Sequence, residues 1–512
     1  MSLPDPKNES WPRRFLLRPD TTATELHDLL KADFQIKQGA PKKETLALYD
    51  THVWTLWFEN LVLIKSRTNL LLFTREGEWP VGQALASIPL RGKCPRFLRN
   101  FPASNLRDRL ESEVEHRALD EVASVQSTVS EWNLRNKSAK TLVRLYVRET
   151  LQTASRTLVE LIPLRGYEEE ANAVSDLLTG IADISAVSPL GEALRATGAT
   201  PTPYVLKPEL HISADQETRT VVCEAAAKTL EVARANELGI IEDWDSEFLH
   251  DYRVSLRRIR SVLSSIKGIF PEETLADWKT QLGTIARHTN KLRDLDVYLL
   301  SQDDMTQLLP EVLQPHLAGL FTDLSKERKQ EQQKLKAYLK SSGYQSSITA
   351  LAEAFSHPES LAETKHSRAP IKEQAAKRVL KRFHKLTDLA EALSKDSPDE
   401  DIHSIRIAGK KLRYLLEFFG SLFPEEEMEN LTDLLSKLQS RLGDFNDTSV
   451  QQAYLLNYAK TKSHDLSPRL AMSLGGLVTA LDQEHGVLRR EVLRALKVFC
   501  TEIDVSEIES WG

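Results

Sequence analysis

Two stretches of one chain carry the same chemistry-bearing residues. HDYRVSLRRIR runs from His250 to Arg260, and HSIRIAGKKLR runs from His403 to Arg413, 153 residues further on. Each opens on a histidine and continues as a row of cations. On a helix advancing about 100° per residue, His250, Arg253, Arg257 and Arg260 fall within an arc of roughly 80°. His403, Arg406, Lys410 and Arg413 repeat that stripe, and Arg258 and Lys411 flank the two stripes. The opposite faces are apolar, with Tyr252, Leu256, Ile259, Leu263 and Ile266 on the first and Ile405, Leu412, Leu416 and Phe419 on the second.

A charged stripe on an amphipathic helix is most often a solvated face. Such faces usually mix acids and bases at i,i+4, where they support each other. Here Asp251 is the one acid in the first stretch, and the second has none. Like charges stacked on one face repel, so an anionic partner explains them better. Arginine offers a planar fork that grips phosphate oxygens in pairs, and lysine adds a movable point charge. A histidine beside phosphate donates a hydrogen bond and shifts toward its charged form. Two such stripes facing each other would make a long positive groove suited to a linear polyanion of evenly spaced charge. Neither histidine has a partner at HxxxH or HExxH spacing, so no metal site and no cofactor is expected from them. The helical half shows no nucleophile with a base and no acid pair suited to hydrolysis.

The elements that must hold these residues come from a duplication. The same offset aligns FPEE at Phe270–Glu273 with FPEE at Phe423–Glu426, and Asp294 and Val297 with Asp447 and Val450. Agreement at three separated blocks without a gap implies two related helical bundles about a pseudo-two-fold axis. From about Ile212 onward, long amphipathic patterns rich in Ala, Leu, Glu, Lys and Arg replace every strand signal. SKERKQEQQKLKAYLKSS reads as a charged helix, and Ser356–Pro370 as the loop between the halves.

The first part of the chain differs. TLALYDT, NLLLF, KTLVRLYVRETL and RTLVELIPL carry the alternation of half-buried strands. TATELHDLLKADF and GYEEEANAVSDLLTGIADI look helical, which makes an α+β region. Ser185–Leu210, rich in small residues and proline, reads as a linker. The boundaries expected are an α+β domain over 1–184, a linker over 185–211, and a helical domain over 212–505 with halves of about 212–355 and 370–505.

Bulk composition sets the limits. The 512 residues are enough for more than one domain. They are 41% hydrophobic and 28% charged, with net charge −7, so any anion binding needs a local concentration of cations. No run of about 20 apolar residues offers a membrane span. The opening MSLPDPKNESWPRRF lacks the apolar core of a secretory signal. Cys94, Cys223 and Cys500 form neither a disulfide framework nor a metal motif, which suits a reducing cytoplasm.

At FLHDYRVSLRRIRSVLSSIKGIF, LRDLDVYL, IHSIRIAGKKLRYLLEFFGSLF and LSKLQSRLGDFNDTSV the chain resembles the CHAD domain, the conserved histidine α-helical domain, over roughly Ile212 to Phe499. The resemblance implies an all-α fold of two pseudo-symmetric four-helix halves that binds inorganic polyphosphate through a basic surface. It also implies that His250, Arg253, Arg257, Arg258, Arg260, His403, Arg406, Lys410, Lys411 and Arg413 are the phosphate ligands. Lys267 continues the first stripe, and Arg378 and Arg382 would line the same groove. The first half departs from the family: GTIARHTNKLRDLDV replaces a tighter LG-x-x-RD-x-DV, adding Arg287 and Lys291, which either widen the groove or are surface charge. Attachment to cytoplasmic polyphosphate granules is compatible with such binding.

LALYDTHVWTLWFENLVLIKSRTNLLLF is similar to the hairpin of the CYTH, or triphosphate-tunnel, fold at Tyr49, Asp50, Thr51, Leu56, Lys65 and Arg67. The resemblance implies a partial barrel. The metal-binding ExExK of active members is missing, since the opening strand RRFLLRPDTT holds no acid before Asp20. A degenerate, non-hydrolysing domain is therefore expected, with residual phosphate contacts through Lys65, Arg67 and Arg75. Two other functions stay open. A metal-dependent triphosphatase or polyphosphatase would need Glu111, Glu113 and Glu115 on one strand face, though an exposed edge or helix suits them better, and Glu160 is a lone inward candidate. Nucleic-acid binding would need aromatics among the cations. Tyr252 and Phe419 lie on the apolar side and Tyr414 only beside the stripe, so this partner is disfavoured.

Overall fold

The computed structural model describes residues 11–77, 79–151, 157–184, 188–462, 464, 466–503 and 505–511. The chain divides into two compact units, Met1–Tyr204 and Val205–Gly512.

The first unit is built on one antiparallel sheet of ten strands: β1 (Arg13–Leu17), β2 (Gln35–Gln38), β3 (Lys42–Thr51), β4 (Leu61–Lys65), β5 (Asn69–Glu76), β6 (Trp79–Pro89), β7 (Leu119–Arg135), β8 (Thr141–Thr150), β9 (Thr157–Pro163) and β10 (Ala182–Ile184). Their order is β10-β1-β9-β8-β7-β3-β4-β5-β6, with β2 also paired to β7. Helices α1 (Ala23–Lys31), α2 (Thr55–Phe58), α3 (Asn105–Val114), α4 (Glu168–Thr179) and α5 (Pro189–Thr197) complete the unit. Strand alternation sorts the core. Ala47, Tyr49, Leu63 and Leu72 pack with Leu106 and Leu110 of α3, while Leu48, Val62, Ile64 and Val125 pack with Leu190, Ala193 and Leu194 of α5.

Helix α5 corrects the linker expectation. Pro at its start and Gly198 after its end mark it as a capped helix, and its Leu190 and Ala193 are buried in the sheet's core. Residues 185–187 of that stretch lie outside the described residues.

The second unit is helical: α6 (Thr218–Ile241), α7 (Ser246–Ser265), α8 (Glu272–Leu300), α9 (Gln302–Gln307), α10 (Ala318–Leu339), α11 (Ser342–Ser356), α12 (Ile371–Ala392), α13 (Asp399–Phe419), α14 (Glu425–Thr461), α15 (Pro468–Glu502) and α16 (Val505–Glu509). The duplication reaches the helix boundaries. Thr218 and Ile371, Ser246 and Asp399, and Glu272 and Glu425 open equivalent helices at the same offset. The halves also touch through reciprocal backbone bonds. Thr218 N–H donates to Ala369 O at 2.9 Å, and Ile371 N–H to Gln216 O at 2.9 Å. Each bond is the image of the other under the repeat, as an isologous contact requires. The unit extends beyond the expected end at 505, because Trp511 stacks on Phe423 at 4.5 Å and donates its indole N–H to Glu427.

Candidate cationic cleft

Helix α7 is held in place before its cations matter. Asp245 caps it by accepting from Glu247 N–H at 2.9 Å. Its Phe248 ring lies so near α6 that a Cβ on Gly239 would meet it at 2.2 Å, so only glycine fits there. Tyr252 OH meets Tyr344 OH at 2.9 Å, and Tyr344 OH donates to Glu237 Oε1 at 2.6 Å, which ties α7 to α11 and α6. Leu256, Ile259 and Leu263 are buried beneath, as are Ile405, Leu412 and Phe419 under α13. The apolar faces therefore point inward, and the stripes are displayed by default.

Between α7 and α13 lies an open cleft of about 600 Å³. Arg257, Arg260, Lys279, Arg382, Arg406, Lys410 and Lys411 line it together with His403, Ser261, Ser264, Ser265, Ile407 and Tyr414. No carboxylate is among these lining residues. Two stripes that are 153 residues apart in sequence thus share one concavity. The electrostatics agree with a crowd of like charge. Lys410 is pushed down to about 8, by burial first and then by Arg406, Arg257 and Arg413. Lys411 is lowered by burial and by Arg382 and Lys385. Burial is also the leading cause that lowers Arg406 and Arg378, with Arg257 and Arg382 adding to it respectively. An anion in the cleft would relieve the charges of Lys410, Lys411 and Arg406, which line it.

Several expected ligands do other work. Arg258 is 2% exposed, lies over the Phe418 ring at 5.0 Å and reaches Glu417 Oε2 at 3.6 Å. Arg413 and Lys207 meet the other oxygen of that carboxylate at 3.5 and 3.3 Å. The expectation that no acid neutralises the stripes is therefore corrected at Glu417, and Arg258 and Arg413 join α7 to α13 instead of facing the cleft. Arg253 donates to Thr289 Oγ1 at 2.6 Å and Asn290 Oδ1 at 2.7 Å, and Asp294 acts on it electrostatically. Asp447 acts on Arg406 in the same way. His250 Nδ1 lies 2.7 Å from the Arg293 guanidinium, and His250 is not among the residues that line the cleft. Lys267 is exposed beyond the end of α7, and Arg378 is half-buried on α12; neither lines the cleft. The extra cations of the first half lie outside it too: Lys291 pairs with Glu327 at 2.9 Å, and Arg287 donates to Thr284.

Sequence patterns missed four participants. Tyr414 accepts a hydrogen bond from Arg257 Nε at 2.5 Å, orienting that guanidinium at the cleft wall. Lys279 enters from α8, where no stripe marks it. Ser261 and Ser264 occupy the repeat positions of Tyr414 and Glu417, and this substitution leaves the Lys411 side of the cleft without an acid.

In the first unit the candidate metal residues are dispersed. Glu111, Glu113 and Glu115 lie in and just after the surface helix α3 (Glu113 half-buried), which overturns the strand-face reading. Glu160 pairs with Arg14 of β1 at 3.4 Å. Among the described residues no three His, Cys, Asp or Glu side chains cluster as a metal site would need. Asp50 is buried and accepts from the N–H groups of Thr51, Leu56 and Trp57 at 2.7 to 2.9 Å, capping α2. Arg75 lies over the Trp57 ring and donates to the carbonyls of Trp57 and Gly77, while Lys65 donates to those of Ser66 and Leu90. Among the described residues no helix is long and apolar enough to cross a membrane.

Comparison with known proteins places the second unit. The family model of the CHAD domain matches residues 224–456. Among solved structures, the CHAD domain from the plant Ricinus communis is 22% identical, with a TM-score of 0.48 over 57% of this chain and 95% of its own. PptA from Streptomyces chartreusis is 18% identical, with a TM-score of 0.44 over 55% of this chain and 99% of its own. The PH1819 protein from Pyrococcus horikoshii is 10% identical, with a TM-score of 0.22 over 36% of this chain and 99% of its own. No curated protein matches the chain.

Proposed function

Because the chain carries a CHAD domain at residues 224–456, we propose that it binds inorganic polyphosphate in the cleft between α7 and α13. The observation that carries this reading is the lining itself: seven lysine and arginine side chains converge there with no carboxylate between them. On a chain of net charge −7, that concentration of cations stands out, with Asp447 acting on Arg406 and Lys410 only from outside the lining. Affinity would come from charge neutralisation, with the guanidinium groups of Arg257, Arg260, Arg382 and Arg406 gripping successive phosphates and Lys410 and Lys411 following the chain. Arg258 and Arg413 serve as the joint that sets the cleft's width. Nothing in the lining suits hydrolysis, so the activity proposed is binding, in the cytoplasm or on polyphosphate granules. Glu111 and Glu113 in α3 and Glu115 just after it do not share a strand face, which favours the binding reading over a triphosphatase in the first unit. Stacking platforms for nucleobases are also few, since Tyr414 is the one aromatic lining the cleft and its hydroxyl is engaged by Arg257. Calorimetric titration of the full chain with polyphosphates of graded length, competed with RNA and DNA, tests the proposal. Polyphosphate should bind and resist displacement at equal phosphate concentration. Displacement by RNA or DNA would refute it.

A further inference from the structure

One end of the cleft differs in chemistry from the rest. A second cavity of about 300 Å³ adjoins it and shares His403 and Arg406 with it. That volume stands at the lower end of the range for small-molecule sites. Its floor is apolar, formed by Ile402, Leu442, Phe445 and Ala453, and Val450 at its edge is 50% exposed. Its far rim carries Glu400 and also Asp399, whose two oxygens are held by Arg489 at 2.5 Å and by His485 at 3.3 Å. A bare phosphate chain gains nothing from an apolar floor and is repelled by the Glu400 carboxylate, so the polyanion path stops here.

The duplication shows that this socket is specific to the second half. In the first half Arg293 holds the equivalent place. Its guanidinium meets His250 Nδ1 at 2.7 Å and Ser246 O at 3.5 Å, and stands 3.8 Å from Glu247 Oε1. Asn446 replaces it in the second half and meets His403 Nδ1 at 3.1 Å, with no long side chain to fill the space. Arg406, which the two cavities share, therefore stands beside a space that no long side chain closes.

We propose that this socket takes the nucleoside of a nucleoside polyphosphate whose phosphates enter the cationic cleft. The inference rests on the polyphosphate reading and narrows its ligand class. The base lies on the apolar floor, the sugar hydroxyls donate to the Glu400 carboxylate, and the first phosphates meet Arg406 and His403. Acid against sugar hydroxyl and cation against phosphate is the division of labour that nucleotide sites use.

The test compares adenosine 5′-tetraphosphate with inorganic tetraphosphate by calorimetry on the full chain. The nucleoside form should bind about ten-fold tighter or better, which is about 1.4 kcal/mol. Two variants close the socket differently. Asn446→Arg copies the first half, and Ala453→Leu fills the floor with the residue found at the equivalent position, Leu300. Both should lose the nucleoside advantage and still bind inorganic tetraphosphate, Ala453→Leu with unchanged affinity and Asn446→Arg at least as tightly because it adds a cation beside His403, which also reports that they fold. Equal binding of the two ligands by the wild type overturns the socket and leaves the polyphosphate reading standing. An advantage that survives in both variants overturns its location. Failure of both ligands to bind overturns socket and polyphosphate reading together.

Discussion

Replacing Lys410 by methionine should make the free protein more stable and its cleft weaker. Lys410 is partly buried on α13 among Arg406, Arg257 and Arg413, and its ammonium is pushed from 10.5 down to about 8. Each unit of such a shift corresponds to about 1.4 kcal/mol. Solvent screening at a partly exposed site reduces the total, leaving a gain of about 1–2 kcal/mol for Lys410→Met, whose apolar stem covers the same surface. In a unit of this size that raises the thermal midpoint by about 2–3 °C. The sign depends on pH. The folded state binds fewer protons than the unfolded one from about pH 8 up to the ordinary lysine value. Below that window the charge is carried in the fold at full cost, and the cost fades as pH rises through it. Thermal unfolding followed by circular dichroism should therefore show a gain for Lys410→Met near about pH 7 that shrinks toward about pH 10. Affinity for polyphosphate should fall in the same variant, the trade-off expected where a site stores repulsion. A variant that is no more stable at neutral pH, or whose advantage grows with pH, would refute the claim that the cleft holds uncompensated charge.

Two further outcomes follow from the division between cleft and joint. Glu417→Gln leaves Arg258 buried without its carboxylate, so it should cost about 3 kcal/mol in urea unfolding, whereas Arg260→Ala at the open wall should cost less than about 0.5 kcal/mol. Comparable losses in both would erase that distinction. In salt titrations of polyphosphate binding, Arg260→Ala and Lys411→Ala should each reduce the logarithmic salt slope by about 1 and leave helicity unchanged. An unchanged slope would place those side chains away from the ligand.

Much of the second unit was legible because its signals are local and repeated. Apolar residues at helical spacing buried Leu256, Ile259 and Leu412 as the periodicity predicts, and the offset between the halves fixed which helices correspond. The roles of individual cations were less accessible. Arg258 and Glu417 meet across the two halves, and no helical wheel drawn on one stripe contains that contact. Glu417 does follow Arg413 by four residues, a spacing that could have signalled the pairing. In the first unit the alternation of Glu111, Glu113 and Glu115 competed with a helical signal. Leu106, Leu110 and Val114 recur every four residues after the Ser104 cap and bury α3 against the sheet, and tertiary packing decided the matter. The buried helix in the expected linker was masked by prolines and small residues, although proline at its start and glycine after its end are helix punctuation.

Charge reversal on both sides of the cleft is the most direct test. Arg257→Glu and Arg406→Glu, combined in the full chain and titrated calorimetrically with long-chain inorganic polyphosphate at low salt, should show no measurable binding while circular dichroism remains that of the wild type. Wild-type affinity in a folded double variant would show that the polyanion, if bound at all, is bound elsewhere.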